Sequence, residues 1–387
     1  MTVKLQHRLA RLAAMTLLGA TIVSVSGCSS LWPFSSDNAN KPMALAADPG
    51  RVQIRSLWST RLGDVRFPLT PGVSASSMAL AATDGTVVLL DTTSGRDLWR
   101  AKLPDTLTAG AGTDGQTVAV VTQGNDVVAI QSGNVLWRSK LASRAYTAPL
   151  VAGGRVFVLT ADRTVTALDG KNGARLWTQN RQQGEPLVIQ QAGVIFAVGD
   201  TLVTGHSGRF SGINPANGSP RWEAPIAFAR GSNDIERVVD LMAPFSRQGD
   251  VVCARAYFST VGCVDARQGQ VIWTSQSRGA VGLGGDARAV YGADQDGRVH
   301  AWNRRDGARL WSNEGFMYRG LNAPAAEATR IVVGDAAGYV HWLSKDNGAL
   351  LGRAQIDNSP VLFQFATGAG SVIAVSRNGT VTALSAQ

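Results

Sequence analysis

A unit of about 40 residues recurs along most of the chain, and no other feature limits the possible folds as strongly. Gly85-Thr86-Val87-Val88-Leu89-Leu90-Asp91 is followed by Ser94-Gly95 and then Leu98-Trp99. Thr164-Val165-Thr166-Ala167-Leu168-Asp169 is followed by Asn172-Gly173 and then Leu176-Trp177. The same device spans Asp126 to Trp137, Gly208 to Trp222, Ser259 to Trp273, Gly297 to Trp311 and Gly338 to Leu351, the last with leucine where the others have tryptophan. Trp58, Trp99, Trp137, Trp177, Trp222, Trp273 and Trp311 hold the repeated aromatic position, at separations of 41, 38, 40, 45, 51 and 38 residues. This spacing suits one four-stranded blade per repeat.

Each part of the unit has a physical task. The period-two alternation of Thr164 to Asp169, rich in β-branched residues, predicts a half-buried strand. Asp169 can bind backbone amides of the following turn, and Gly173 supplies a conformation costly for residues with a Cβ. An indole at one fixed place per repeat predicts a wedge between neighbouring blades. Thr147-Ala148-Pro149, Asn322-Ala323-Pro324 and Asn358-Ser359-Pro360 should lead into innermost strands, whose unpaired edge tolerates proline.

The two ends of the chain complement each other. The last repeat stops at Val381-Thr382-Ala383-Leu384 without reaching a tryptophan, whereas Ser56-Leu57-Trp58 has no preceding strand of its own. Joining them completes one blade. The expected fold is therefore all-β: an eight-bladed β-propeller closed by pairing of the N-terminal strand with the C-terminal blade, over residues 51–387.

Before the repeats, Lys4, Arg8 and Arg11 precede an uncharged, largely apolar run from Leu12 to Val25, too short to span a bilayer and flanked like a signal peptide. It ends in Val25-Ser26-Gly27-Cys28, which resembles a lipobox. That resemblance implies a signal peptide at residues 1–27, acylation of Cys28 and, with Ser29 rather than aspartate next, the inner leaflet of the outer membrane. Several acyl chains make a lasting anchor where one would be marginal. Residues 28–50, rich in Ser, Ala, Asn and Pro, read as a flexible tether.

Cys253 and Cys263 are then the one possible disulfide pair. A hairpin about Phe258 would set them on adjacent strands nearly opposite each other, and an oxidising compartment favours their bond over two free thiols if the geometry allows it. The formal charge of +9, which includes the three basic residues of the leader, could favour anionic lipid or an acidic partner. The arginines are scattered rather than set in a stripe with interleaved aromatics, which argues against nucleic acid.

Catalytic constellations are sparse. His300 and His341 share a slot that holds Val88, Thr166 and Thr382 in other repeats, so they read as surface strand positions rather than metal ligands. His206 stands alone before a turn glycine. No HExxH, GxSxG or P-loop occurs, and Gly282-Leu283-Gly284-Gly285 precedes no helix. No metal and no cofactor is expected. Trp302 and Trp342 could form the aromatic platform of a carbohydrate-binding propeller, but they occupy slots filled by Leu90 and Leu168, which favours core packing.

The unit Ala-Leu-Asp, a turn ending in glycine, then three residues and tryptophan, resembles the repeat of pyrroloquinoline-quinone enzymes. Those are also eight-bladed propellers, so a quinoprotein dehydrogenase is a competing reading. Their adjacent-cysteine disulfide has no counterpart here, and the chain lacks the length for their insertions. With its lipobox, tether and propeller, the whole chain resembles instead the BamB family of outer-membrane protein assembly factors. The resemblance implies a non-catalytic scaffold of the β-barrel assembly complex at the periplasmic face of the outer membrane. Its partners would be the POTRA domains of the central barrel subunit and, through edge pairing, nascent outer-membrane proteins.

The family's Leu-x-Leu-Arg loop corresponds to Leu187-Val188-Ile189-Gln190, with glutamine in place of arginine. Its Asp-x-Asp loop falls in Gly231 to Met242, which keeps Arg237 and Asp240 and has Met242 at the second acid. The residues themselves point to the same region, because the two longest tryptophan separations flank Trp222 and extra loop length on one face of a repeat fold commonly marks a binding surface. A structurally inert insertion is the competing reading. Under the binding reading, Leu187 and Ile189 are exposed apolar anchors, while Gln190, Arg237 and Asp240 set orientation.

Overall fold

The runs of apolar and β-branched residues form strands throughout: β1 (Ile54–Arg61) is followed by 31 more, ending with β32 (Thr380–Ala386). The computed structural model describes residues 41–74, 76–180, 189–230, 232–233, 236–367 and 370–387. The leader, Cys28 and most of the expected tether lie outside the described residues. The strands make eight four-stranded antiparallel sheets. Seven use four consecutive strands, from β2 (Gly72–Ser74) to β5 (Asp97–Lys102) in blade 1 through β26 (Ala325–Ala326) to β29 (Leu350–Gln355) in blade 7. In blade 8, β1 pairs with β32, next to β31 (Ser371–Ser376) and the innermost β30 (Val361–Ala366). The expected eight blades and their closure are thus present. Pro149, Pro324 and Pro360 directly precede the innermost strands of blades 3, 7 and 8.

The core is a series of clusters, each filling the wedge between neighbouring blades. Met78, Leu80 and Val87 of blade 1 meet Ile373, Val375 and Val381 of blade 8, which closes the ring in its interior as well as at its edge. Because every blade is covered on both faces, third strands are buried throughout. Val165 to Leu168, expected to be half-buried, are all buried, so their alternation sorts side chains between two neighbouring blades rather than between core and water.

All seven repeated tryptophans lie on outermost strands. Six of them cover a turn glycine of the next blade: Trp58 on Gly95, Trp137 on Gly173, Trp177 on Gly218, Trp222 on Gly269, Trp273 on Gly307 and Trp311 on Gly348. A Cβ at any of these glycines would come within 2.3–2.6 Å of the ring, and each has a left-handed φ between 69° and 76°. The indole Nε1 of Trp137, Trp177, Trp273 and Trp311 donates to a carbonyl of that same turn, at 2.7–3.0 Å. Trp99 faces a shorter turn, Ser132-Gly133, and sits more loosely.

At the one seam where the next blade offers no such turn the expected leucine is not in the tryptophan slot: Gly352 stands opposite Trp342 as Trp311 stands opposite Ala301, and Leu351 takes the place of Leu310. Blade 8 receives its outer strand from the other end of the chain, and Val52 and Ile54 lie over Gly352 where a side chain would otherwise fill the seam. The last part of the segment read as tether is laid against blade 7 instead of hanging free. Met43 donates to the Met317 carbonyl, Arg353 reaches the Ala46 carbonyl, and Arg51 donates to the Leu351 carbonyl.

Candidate partner-binding face

Antiparallel blades divide their connections between two faces of the propeller. The turns that carry the tryptophan-covered glycines join third to fourth strands and lie on one face. Turns joining second to third strands share the other face with the loops that lead from each blade to the next. Both long insertions are of this last kind, so they share a face. One joins β13 (Arg175–Gln179) to β14 (Val194–Val198); the other joins β17 (Pro220–Pro225) to β18 (Leu241–Gln248).

The structure distributes the expected binding residues unevenly over this face. Leu187 lies outside the described residues. Ile189 is half-buried and lines a small cleft with Tyr146, Leu159 and Met242. Gln190 is exposed at the mouth of the central channel, a cavity of about 810 Å³ whose wall includes Phe67, Leu69, Leu321 and Phe363. Arg237 is exposed. It is held in a short turn where its amide donates to the Asn233 carbonyl (3.2 Å) and Glu236 accepts from the Ser232 amide (3.0 Å).

Asp240 departs from expectation. It is only 8% exposed, and its carboxylate points inward, where it accepts from the amides of Ser207 (3.0 Å) and Ile189 (3.4 Å) and pairs with Arg163 Nη2 at 3.6 Å. Val238, Val239 and Met242 are also buried, so this part of the loop turns its chain into the disc. An acid at position 242 would be almost fully buried, which suits the methionine found there. Phe228, in the same loop, is a residue the sequence reading passed over: its ring is 63% exposed, the highest among the large hydrophobic side chains. It could have been suspected as an aromatic inside the longest insertion, free of the repeat pattern.

His300 and His341 are corrected as well. They are 4% and 0% exposed, because a slot that accepts valine or threonine in a third strand faces a neighbouring blade rather than water. His300 Nε2 lies 3.3 Å from Asp294, which also meets the fully buried Arg255. His341 Nε2 lies 3.0 Å from Asp335, which accepts from Arg319 at 2.7 Å. Burial alone would raise these carboxyls. Hydrogen bonds from the two histidines, with Arg255 or Arg319, hold both below the ordinary aspartate value, Asp294 at about 2. Among the described residues, no group of three His, Cys, Asp or Glu side chains is disposed to hold a metal.

Cys253 and Cys263 stand directly opposite on β19 (Val251–Ala256) and β20 (Thr260–Asp265), across a hairpin that turns at Phe258, and their sulfurs are bonded. Trp302 and Trp342 are fully buried and form no surface platform.

Comparison with known proteins adds to this picture. The family model for outer membrane protein assembly factor BamB matches residues 83–313. The BamB of Bordetella pertussis is 32% identical over 373 residues, which cover 95% of each chain, and that of Burkholderia pseudomallei is 28% identical over 96% of this chain and 98% of its own. The crystal structure of BamB from Moraxella catarrhalis superposes with a TM-score of 0.76 at 26% identity, covering 86% of this chain and all of the other. A quinohemoprotein alcohol dehydrogenase from Comamonas testosteroni shares the fold alone, at 13% identity and a TM-score of 0.66. Matched over nearly its whole length in sequence and in blade architecture, the chain belongs to the BamB family of outer-membrane protein assembly factors.

Proposed function

We propose that this chain is a non-catalytic scaffold of the outer-membrane β-barrel assembly complex, anchored by acylated Cys28 to the periplasmic face of the outer membrane. It docks through its loop-bearing face on the POTRA domains of the central barrel subunit and so assists insertion of outer-membrane proteins. The observation that carries this reading is the concentration of irregularity on one face. Both inserted loops emerge there, the second carrying exposed Phe228 and Arg237 and the first exposed Gln190. An exposed aromatic and an exposed arginine in one inserted loop have the composition of a protein-binding hot spot.

The test is capture of the central subunit from solubilised outer membrane by the full-length lipoprotein. Combining Phe228→Ala with Arg237→Glu should lower recovery at least about tenfold, through loss of an anchor and reversal of a steering charge. Equal recovery with the double variant would reject this face as the docking surface.

A further inference from the structure

Most turns between second and third strands share one left-handed slot, whereas that of blade 5 bends one residue earlier, at Phe258 with φ 48°. Blades 1, 4, 6, 7 and 8 fill the slot with Gly85, Gly208, Gly297, Gly338 and Gly379, at φ between 74° and 94°, and blade 2 with Asn125 at φ 64°. Blade 3 fills it with Arg163, at φ 62°. A long side chain in the left-handed region is disfavoured where glycine serves elsewhere, and such an outlier points to a task for the side chain itself.

That side chain does not extend into solvent. It is 11% exposed, and its guanidinium faces Asp240. Asp240 stands where four segments meet: the turn of blade 3 that carries Arg163, the turn of blade 4 at Ser207, the chain leaving the first insertion at Ile189, and the chain leaving the second at Asp240 itself. A fifth joins through the Asp240 carbonyl, which accepts from Tyr257 in the turn of blade 5. Two backbone amides from different segments thus depend on one buried carboxylate, and a buried carboxylate keeps its charge only beside a compensating one.

We propose that Arg163 is a positioning residue of the docking face: by compensating Asp240 it fixes the ends of both inserted loops relative to each other, and so the spacing of the groups they present. The inference rests on the reading that this face docks. It assigns Asp240 an indirect part as well, as the acceptor that gathers the loops rather than as a group the partner touches.

Arg163→Gly tests it, since glycine suits the backbone of this slot and removes only the side chain. In the isolated full-length protein, hydrogen exchange at the Ile189 and Ser207 amides should speed up at least about tenfold, with exchange across Val165 to Leu168 unchanged. Capture of a purified POTRA fragment of the central subunit should fall by a similar factor, and Arg163→Lys should restore most of both, because it returns the charge. Unchanged exchange at Ile189 and Ser207 in the glycine variant would overturn the clasp. Faster exchange with undiminished capture would overturn its role in docking. If the unmodified chain captures no POTRA fragment, the docking reading itself fails, and the exchange result still reports separately on the clasp.

Discussion

The two faces of this propeller are built on different principles. On the turn face one contact repeats: an indole lies over a left-handed glycine of the next blade, six times with nearly the same spacing. On the loop face the polar ties differ from sector to sector. Arg163 with Asp240 occurs once, and an aspartate–histidine–arginine set occurs in only two neighbouring blades, as Asp294 with His300 and Arg255 and as Asp335 with His341 and Arg319. A contact that repeats can serve only what every blade needs, which is closure of the ring. Contacts that differ from blade to blade can give one sector a surface the others lack.

The comparison predicts a wide gap in stability effects. Trp273→Ala on the turn face should destabilise by about 3–5 kcal/mol in denaturant titrations, since it opens a cavity and removes the indole bond to the Arg304 carbonyl. Arg237→Glu on the loop face should change stability by no more than about 0.5 kcal/mol. Similar losses for both would erase the distinction.

A second pair separates packing from backbone strain within the turn face. Gly307→Ala sets a methyl group against the Trp273 ring at a φ of 73° and should cost about 2–4 kcal/mol. Gly249→Ala meets the same kind of backbone, φ 58°, with no atom near the new methyl, and should cost about 1 kcal/mol. Equal melting-temperature shifts would show that the indole contact adds nothing beyond the turn.

A further effect comes from acid. Burial raises the Asp294 carboxyl, but hydrogen bonds from His300 and Ser277 and the charge of Arg255 outweigh it and bring it from the ordinary 3.8 down to about 2. The stabilisation is therefore complete above pH 3.8 and fades as pH falls from there through about 2. It should amount to roughly 1–2 kcal/mol after allowance for solvent screening, read as the part of the acid-induced loss that Asp294→Asn removes. An Asp294→Asn variant with the same acid profile as the unmodified chain would show that this network does not tie the blades.

Legibility in the sequence follows the same division. The tryptophans, the turn glycines, the missing last indole and the orphan Ser56-Leu57-Trp58 were readable because each exists to satisfy a rule every blade obeys. The absence of an indole from the seventh repeat was readable too, although only the structure shows that Gly352 rather than Leu351 holds its slot, with Val52 and Ile54 lying over it. The loop-bearing face was legible as a location, and the placement of its charges was misread in detail. Loop length pointed to it, but charge alone made Asp240 look like a surface group, and nothing in a linear pattern distinguishes a carboxylate aimed at solvent from one that collects the amides of Ser207 and Ile189.

By itself the sequence determined the number of blades, the way the ring closes and the face on which variation accumulates, because periodic packing leaves a periodic record. Only the tertiary structure decided which polar groups are interior. His300, His341 and Asp240 are buried by blades and loops distant in the chain, and whether a side chain meets water or a neighbour depends on those non-local surfaces. Burial then decides what the charge meets: the Asp240 carboxylate, shielded from solvent, accepts from the Ser207 and Ile189 amides and faces Arg163.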